Sequence, residues 1–136
     1  MARQSLGQSL VEMAIVLPVF LLMTMGIFDL GRAVWQGSTL AEVARNGARY
    51  AITAPSDCAG IKNAVINSAT GVALTTSSVT ISEPSGVETS DPVTVSVTAT
   101  FTPATPLIAN AIGESSLTLT RAATMIIEQG STGSSC

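Results

Sequence analysis

Between Leu10 and Phe28 the sequence reads LVEMAIVLPVFLLMTMGIF, an apolar run whose single charge is Glu12. Coiled as a helix the run is about 28 Å long, close to the thickness of a bilayer's hydrocarbon core. A charged side chain at the centre of a membrane helix costs about 2.5–3.5 kcal/mol on insertion scales, and less toward the ends. Glu12 therefore sits where a carboxylate is tolerated, and where a partner for it would be expected. An ordinary secretory signal would also begin with a basic residue and an apolar stretch, as Arg3 and this run do. The residues at its end, FDLGRAVW at 28–35, are a poor cleavage context, so a retained membrane helix is the better reading. Arg3 on one side is matched by Arg32 on the other, so charge asymmetry does not set the orientation.

The helical pattern continues past the apolar run. Small or apolar residues recur every three to four positions at Leu30, Val34, Gly37, Leu40/Ala41, Ala44, Ala48 and Ile52. Gln36, Thr39, Glu42, Asn46 and Arg49 mark the opposite face, and Glu42 and Arg45 have the i,i+3 spacing of a helical ion pair. One helix of roughly 40 residues, about 60 Å long, is expected, half in lipid and half packed on a head domain. Pro18 removes one backbone hydrogen bond and predicts a kink. Gly26 and Gly31 allow close approach of another helix without forming the four-residue-spaced dimer motif. Trp35 fits either an interfacial aromatic or a residue packed on the head. Asp29, Arg45 and Arg49 are read as a solvated helix surface rather than as pairing residues.

Pro55 ends this helix, and Ser56 or Asp57 can cap the next. Residues 59–69 predict a short second helix with Ile61, Ala64, Val65 and Ala69 inward. Alternation then predicts strands over 78–83 and 92–102, the second with Val93, Val95, Val97, Ala99 and Phe101 buried. Between them lies a turn-rich acidic loop at 83–91, and 103–113 reads as a helical turn or crossover. A third strand over 115–128 would carry Leu117, Leu119, Arg121, Ala123, Met125 and Ile127 on one side. The arginine there suits only a sheet edge or an acidic partner. The fold class is α+β: a long helix and a short one against a small antiparallel sheet. Residues 130–136 read as a flexible low-complexity tail.

The chain's chemistry is sparse. It has no histidine, which removes the commonest general base and metal ligand. No nucleophile-elbow or phosphate-cradling glycine motif occurs, so no catalytic residue, cofactor or metal site is expected. Asp57, Glu83, Glu88 and Asp91 read as solvated loop acids rather than as calcium ligands. A net charge of −3, with six scattered basic residues, argues against nucleic-acid binding. Cys58 and Cys136 cannot build a zinc site alone. In an oxidising compartment they could close one disulfide, worth about 4 kcal/mol in the chain-entropy model. Alternatively, Cys136 stays free or links chains.

The string GQSLVEMAIVLP at 7–18, with GIFDLGR at 26–32, resembles the N-terminal signature of the TadE-like pilins. These are minor pilins or pseudopilins of tight-adherence pili, within the type IV pilin superfamily. ARNGARYA at 44–51 is similar to the end of that family's first helix. The resemblance covers roughly the first fifty residues. It implies a leader at 1–7 removed by a prepilin peptidase at the Gly7–Gln8 bond, where glycine lets the protease approach the backbone. It implies a membrane helix at 8–28 and a head at 29–129 outside the inner membrane. Glu12, the fifth residue after cleavage, would attract the freed α-amino group of a neighbouring subunit. The alternative for Glu12 is a carboxylate that simply reaches cytoplasmic water. Implied partners are other pilin subunits through their N-terminal helices, the peptidase, an inner-membrane assembly platform and lipid. A major filament-forming subunit, or a signal-anchored surface protein with a small binding domain, are the rival readings.

Overall fold

A computed structural model of the chain describes residues 4–83, 88–105, 110, 113–130 and 136, with side chains from residue 7 onward. The first residues of the leader, the centre of the acidic loop at 84–87, most of the expected helical turn near 107–112 and the tail at 131–135 lie outside the described residues. The elements are helix α1 (Gln4–Ala51), helix α2 (Cys58–Ser68), a 3-10 turn (Thr76–Ser78), and strands β1 (Val79–Ser82), β2 (Pro92–Phe101) and β3 (Leu117–Ile126). The three strands form one antiparallel sheet in the order β1-β2-β3. The α+β class therefore holds, and α1 spans 48 residues with Pro18 inside it.

The chain divides into two compact units whose boundary falls within α1. Residues 1–33 and 102–116 make one, and 34–101 with 117–136 make the other. In the first unit, the apolar residues of α1 from Leu10 to Phe28 are exposed, from 41% at Leu22 to 73% at Phe28. Exposure runs right round the helix, with every residue from Gly7 to Met23 open.

The second unit has a conventional core. Leu40, Val43, Ala44, Ala48 and Ala51 from α1 meet Ile61 and Val65 from α2, together with Val93, Val95 and Val97 from β2 and Ile127 beyond β3. The central strand β2 alternates strictly, its valines inward and its hydroxyl residues outward, because successive side chains of a strand point to opposite faces. On the outward face, the Thr94 and Thr124 hydroxyls bond across the strands at 2.8 Å and those of Thr98 and Thr120 at 3.2 Å. Such cross-strand pairs fix the register in which Val97 faces Arg121 and Val93 faces Met125.

Arg121 escapes the problem its position poses, because β3 is an edge strand and the residue is exposed. Its guanidinium lies against Gly37 of α1, where a Cβ would come within 3.3 Å of Nη2, and it donates to the Thr120 carbonyl at 2.9 Å. The ring of Trp35 packs on Gly71, whose φ of +72° and lack of a side chain both favour glycine. Trp35 stays half exposed.

Two residues expected on the inward face of α1 are not there: Leu30 and Val34 are each 65% exposed. The covered stripe is centred on Leu40, Ala44, Gly47 and Ala51, and Val34 falls at its margin. At the turn of Leu30, only the Asp29 side is covered.

The tightest packing of α1 on its apolar neighbours in this unit is at Gly47. A Cβ built there would collide with Val65 Cγ2 and lie 3.1 Å from Val95 Cγ1. Glycine at this point lets helix α1 press on α2 and β2 at once. Gly47→Ala should therefore lower stability by about 1–3 kcal/mol, despite the better helix propensity of alanine. A thermal melt of the full chain in detergent micelles measures this; an unchanged or raised melting temperature contradicts the packing described.

Candidate functional site

The residues singled out at the start of the chain all lie on the open part of α1. Gly7, Gln8 and Glu12 are exposed, and a Cβ at Gly7 would meet nothing within 4 Å. Glu12 stands one and a half turns beyond Gly7, about 7.5 Å along the axis. Around it Leu10, Val11, Met13, Ile15 and Val16 are at least 55% exposed. This segment is a rod of apolar side chains carrying one carboxylate. A surface of this kind can be covered by lipid or by other helices.

One residue departs from the sequence expectation and forms the best-defined polar site in the first unit. Asp29, read as solvated, is 4% exposed. It is the first residue beyond the apolar run, and its carboxylate accepts three hydrogen bonds. The Thr105 hydroxyl donates to Oδ2 at 2.6 Å and the Thr105 amide to the same oxygen at 2.8 Å; the Ala104 amide donates to Oδ1 at 3.0 Å. The Thr105 hydroxyl contributes most to holding this carboxyl below the ordinary carboxylate range. The Ala104 and Thr105 amides and the nearby Arg32 act in the same direction, against the opposing effect of burial. Arg32, one turn on, donates from Nη2 to the Thr102 carbonyl at 3.1 Å. No local signal marks Asp29, because its donors lie more than seventy residues along the chain.

The Arg45 and Arg49 side chains are exposed, as a solvated helix surface requires. At the junction of α1 and α2, Asp57 is the N-cap of α2 and accepts the Gly60 amide at 2.9 Å, with the Tyr50 hydroxyl donating to its other oxygen at 2.8 Å. The Gly60 amide, and then the Tyr50 hydroxyl, hold the Asp57 carboxyl below its usual range, and the same bond pushes the Tyr50 phenol up. Gly60 is obligatory for this arrangement, since a Cβ there would strike both Asp57 Oδ2 and the Tyr50 hydroxyl. Next to the cap, Cys58 and Cys136 are joined by a disulfide, with Cα atoms 5.5 Å apart. The Cys136 amide donates to Glu83 Oε2 at 2.8 Å, and the Gly130 amide to Thr89 Oγ1 at 3.0 Å, so both ends of the C-terminal segment are held. Of the loop acids, Asp91 Oδ2 accepts the Glu88 amide locally at 3.2 Å, whereas Glu83, read as solvated, is half-buried, its Oε2 held by Cys136 and its Oε1 buried. Among the described residues no group of three or more His, Cys, Asp or Glu side chains is placed to hold a metal ion.

Comparison with known families bears on the helix and not on the sheet. Residues 7–49 match the family model of TadE-like proteins. Over that segment, about a third of the chain, it is similar to TadE-like proteins. The match begins at Gly7, takes in Glu12 and Asp29, and ends two residues before α1 does. No curated protein and no solved structure matches the chain. The TadE-like helix is also the one helix among the described residues that is long and apolar enough to cross a membrane.

The Asp57 cap predicts an acid-side loss of stability. A carboxylate with a lowered folded pKa stabilises the fold in full above about pH 4, and the contribution disappears as pH falls through the folded value. Melting temperatures across pH 2–5 should therefore fall more steeply for the native chain than for Asp57→Asn. Parallel curves contradict this role for the cap.

Proposed function

We propose that the chain is a minor pilin or pseudopilin of a tight-adherence pilus, acting in assembly, initiation or tip formation and so in surface attachment. The observation that carries this reading is the coincidence of the TadE-like match with a helix whose apolar surface stays open among the described residues. Such a helix needs a medium or a neighbour, and a filament core and a bilayer are chemically alike in offering apolar contact. Transfer of the helix from lipid to filament therefore carries little hydrophobic cost, and polar contacts decide the register. In this proposal residues 29–129 are the exported head and the membrane anchor is single-pass.

Cleavage after Gly7 would create an α-amino group on Gln8. In a low-dielectric setting an ammonium and a carboxylate attract strongly, and each offsets the other's burial. Glu12, exposed on the rod, is the carboxylate available to a neighbouring subunit's amine. The role is structural, with no bond made or broken by this chain.

Intact-mass measurement on chain recovered from cells that make the pilus tests the processing step. A mature chain beginning at Gln8 is expected; one beginning at Met1 or Ala2 contradicts the proposal in favour of a simple signal anchor. Glu12→Ala should leave the head's melting temperature unchanged and abolish co-purification with the other pilus subunits. Normal co-purification of that variant removes Glu12 from assembly.

A further inference from the structure

Asp29 is a buried acid where an acid would ordinarily be solvated. It comes directly after Phe28, its turn of helix is otherwise exposed, and its two oxygens are filled by donors from a segment more than seventy residues away. That segment, residues 102–105, lies immediately after β2. It belongs to the compact unit of the apolar helix and not to that of the sheet. Only Thr105 of the four is buried, at 2% exposure; Thr102 and Ala104 are open and Pro103 is half-buried. Among the described residues, then, the segment buries little of its own surface. Its hold is polar: two consecutive backbone amides and one hydroxyl on the Asp29 carboxylate, and the Arg32 guanidinium on the Thr102 carbonyl.

From this we propose that residues 102–105 form a strap latched onto α1 by the Asp29 carboxylate, which opens and closes without unfolding the sheet. Local opening is set by how much apolar surface and how many hydrogen bonds a segment gives up; among the described residues this one gives up four hydrogen bonds, a half-buried proline and one buried threonine. Closed, the strap hides the carboxylate. Open, it presents a negative charge on the first residue beyond the apolar run, on a turn where Ile27, Phe28 and Leu30 already face outward. The state of the strap decides whether the exit of the helix offers a bare apolar surface or an anionic one. The latch does not depend on whether the chain enters a filament.

Amide hydrogen exchange on the full chain in lipid nanodiscs tests it, with Asp29→Asn and Thr105→Val as the variants. Asparagine keeps the size but turns an NH2 donor toward one of the amide donors. In the native chain the Ala104 and Thr105 amides should be protected. In Asp29→Asn their exchange should rise at least tenfold while the amides of β2 keep their native rates. Thr105→Val retains both amide bonds and should give a smaller rise. Unchanged exchange at Ala104 and Thr105 in Asp29→Asn overturns the latch. A rise shared by the β2 amides overturns the strap as a separately opening element.

Discussion

A helix that is apolar on every side cannot be solvated by water, and the first half of α1 is such a helix. Among the described residues nothing covers it: from Leu10 to Phe28 its large side chains are open around the whole circumference. The driving force that would otherwise collapse these residues into a core is roughly 25 cal/mol for each Å² removed from water. Spread over so many exposed Leu, Ile, Val, Met and Phe side chains, it must be met from outside the chain. Placement in lipid and packing with like helices are the two ways to meet it. The TadE-like character of residues 7–49 fits a helix able to use both.

The second half of α1 obeys a different rule. There the apolar residues are confined to one stripe, and small side chains at Ala44, Gly47, Ala48 and Ala51 let α2 and β2 come close. A core this modest, built mostly of alanine and valine, gains from constraints that do not depend on buried area. The Cys58–Cys136 disulfide supplies one, tying the last residue of the chain to the first residue of α2. The Asp57 cap on the adjacent turn fixes where that helix begins.

Much of this is legible in the sequence, because the signals involved are local and periodic. The valines of β2 at every second position mark its buried face, and the cap and stop at Pro55–Asp57 mark the start of α2 within one residue. The stripe on α1 is legible only in part. Leu30 and Val34 satisfy the three-to-four spacing, yet both stay exposed, since periodicity tells which residues share a face and not where the partner surface ends. Asp29 escapes a sequence reading for the complementary reason. A lone acid at the end of an apolar run is usually solvated, and the donors that bury it come from a connection far along the chain with no periodicity of its own. Arg121 shows the same dependence on context: alternation predicts its face, and only the edge position of β3 makes an arginine acceptable there.

The central claim is that one continuous helix serves two environments, with the change falling between Phe28 and the core stripe that begins at Gly37. Single spin labels placed along α1 in the full chain, at low density in lipid vesicles, read this directly through collision with oxygen and with a water-soluble nickel complex. From residue 13 to 28, high oxygen and low nickel accessibility at every position is predicted. Beyond Gly37, a 3.6-residue oscillation between inaccessible and water-exposed positions should take over. An oscillation of that period within 13–28, or nickel access there, would contradict the claim, because it would mean that the apolar half of the helix is covered by protein or lies in water.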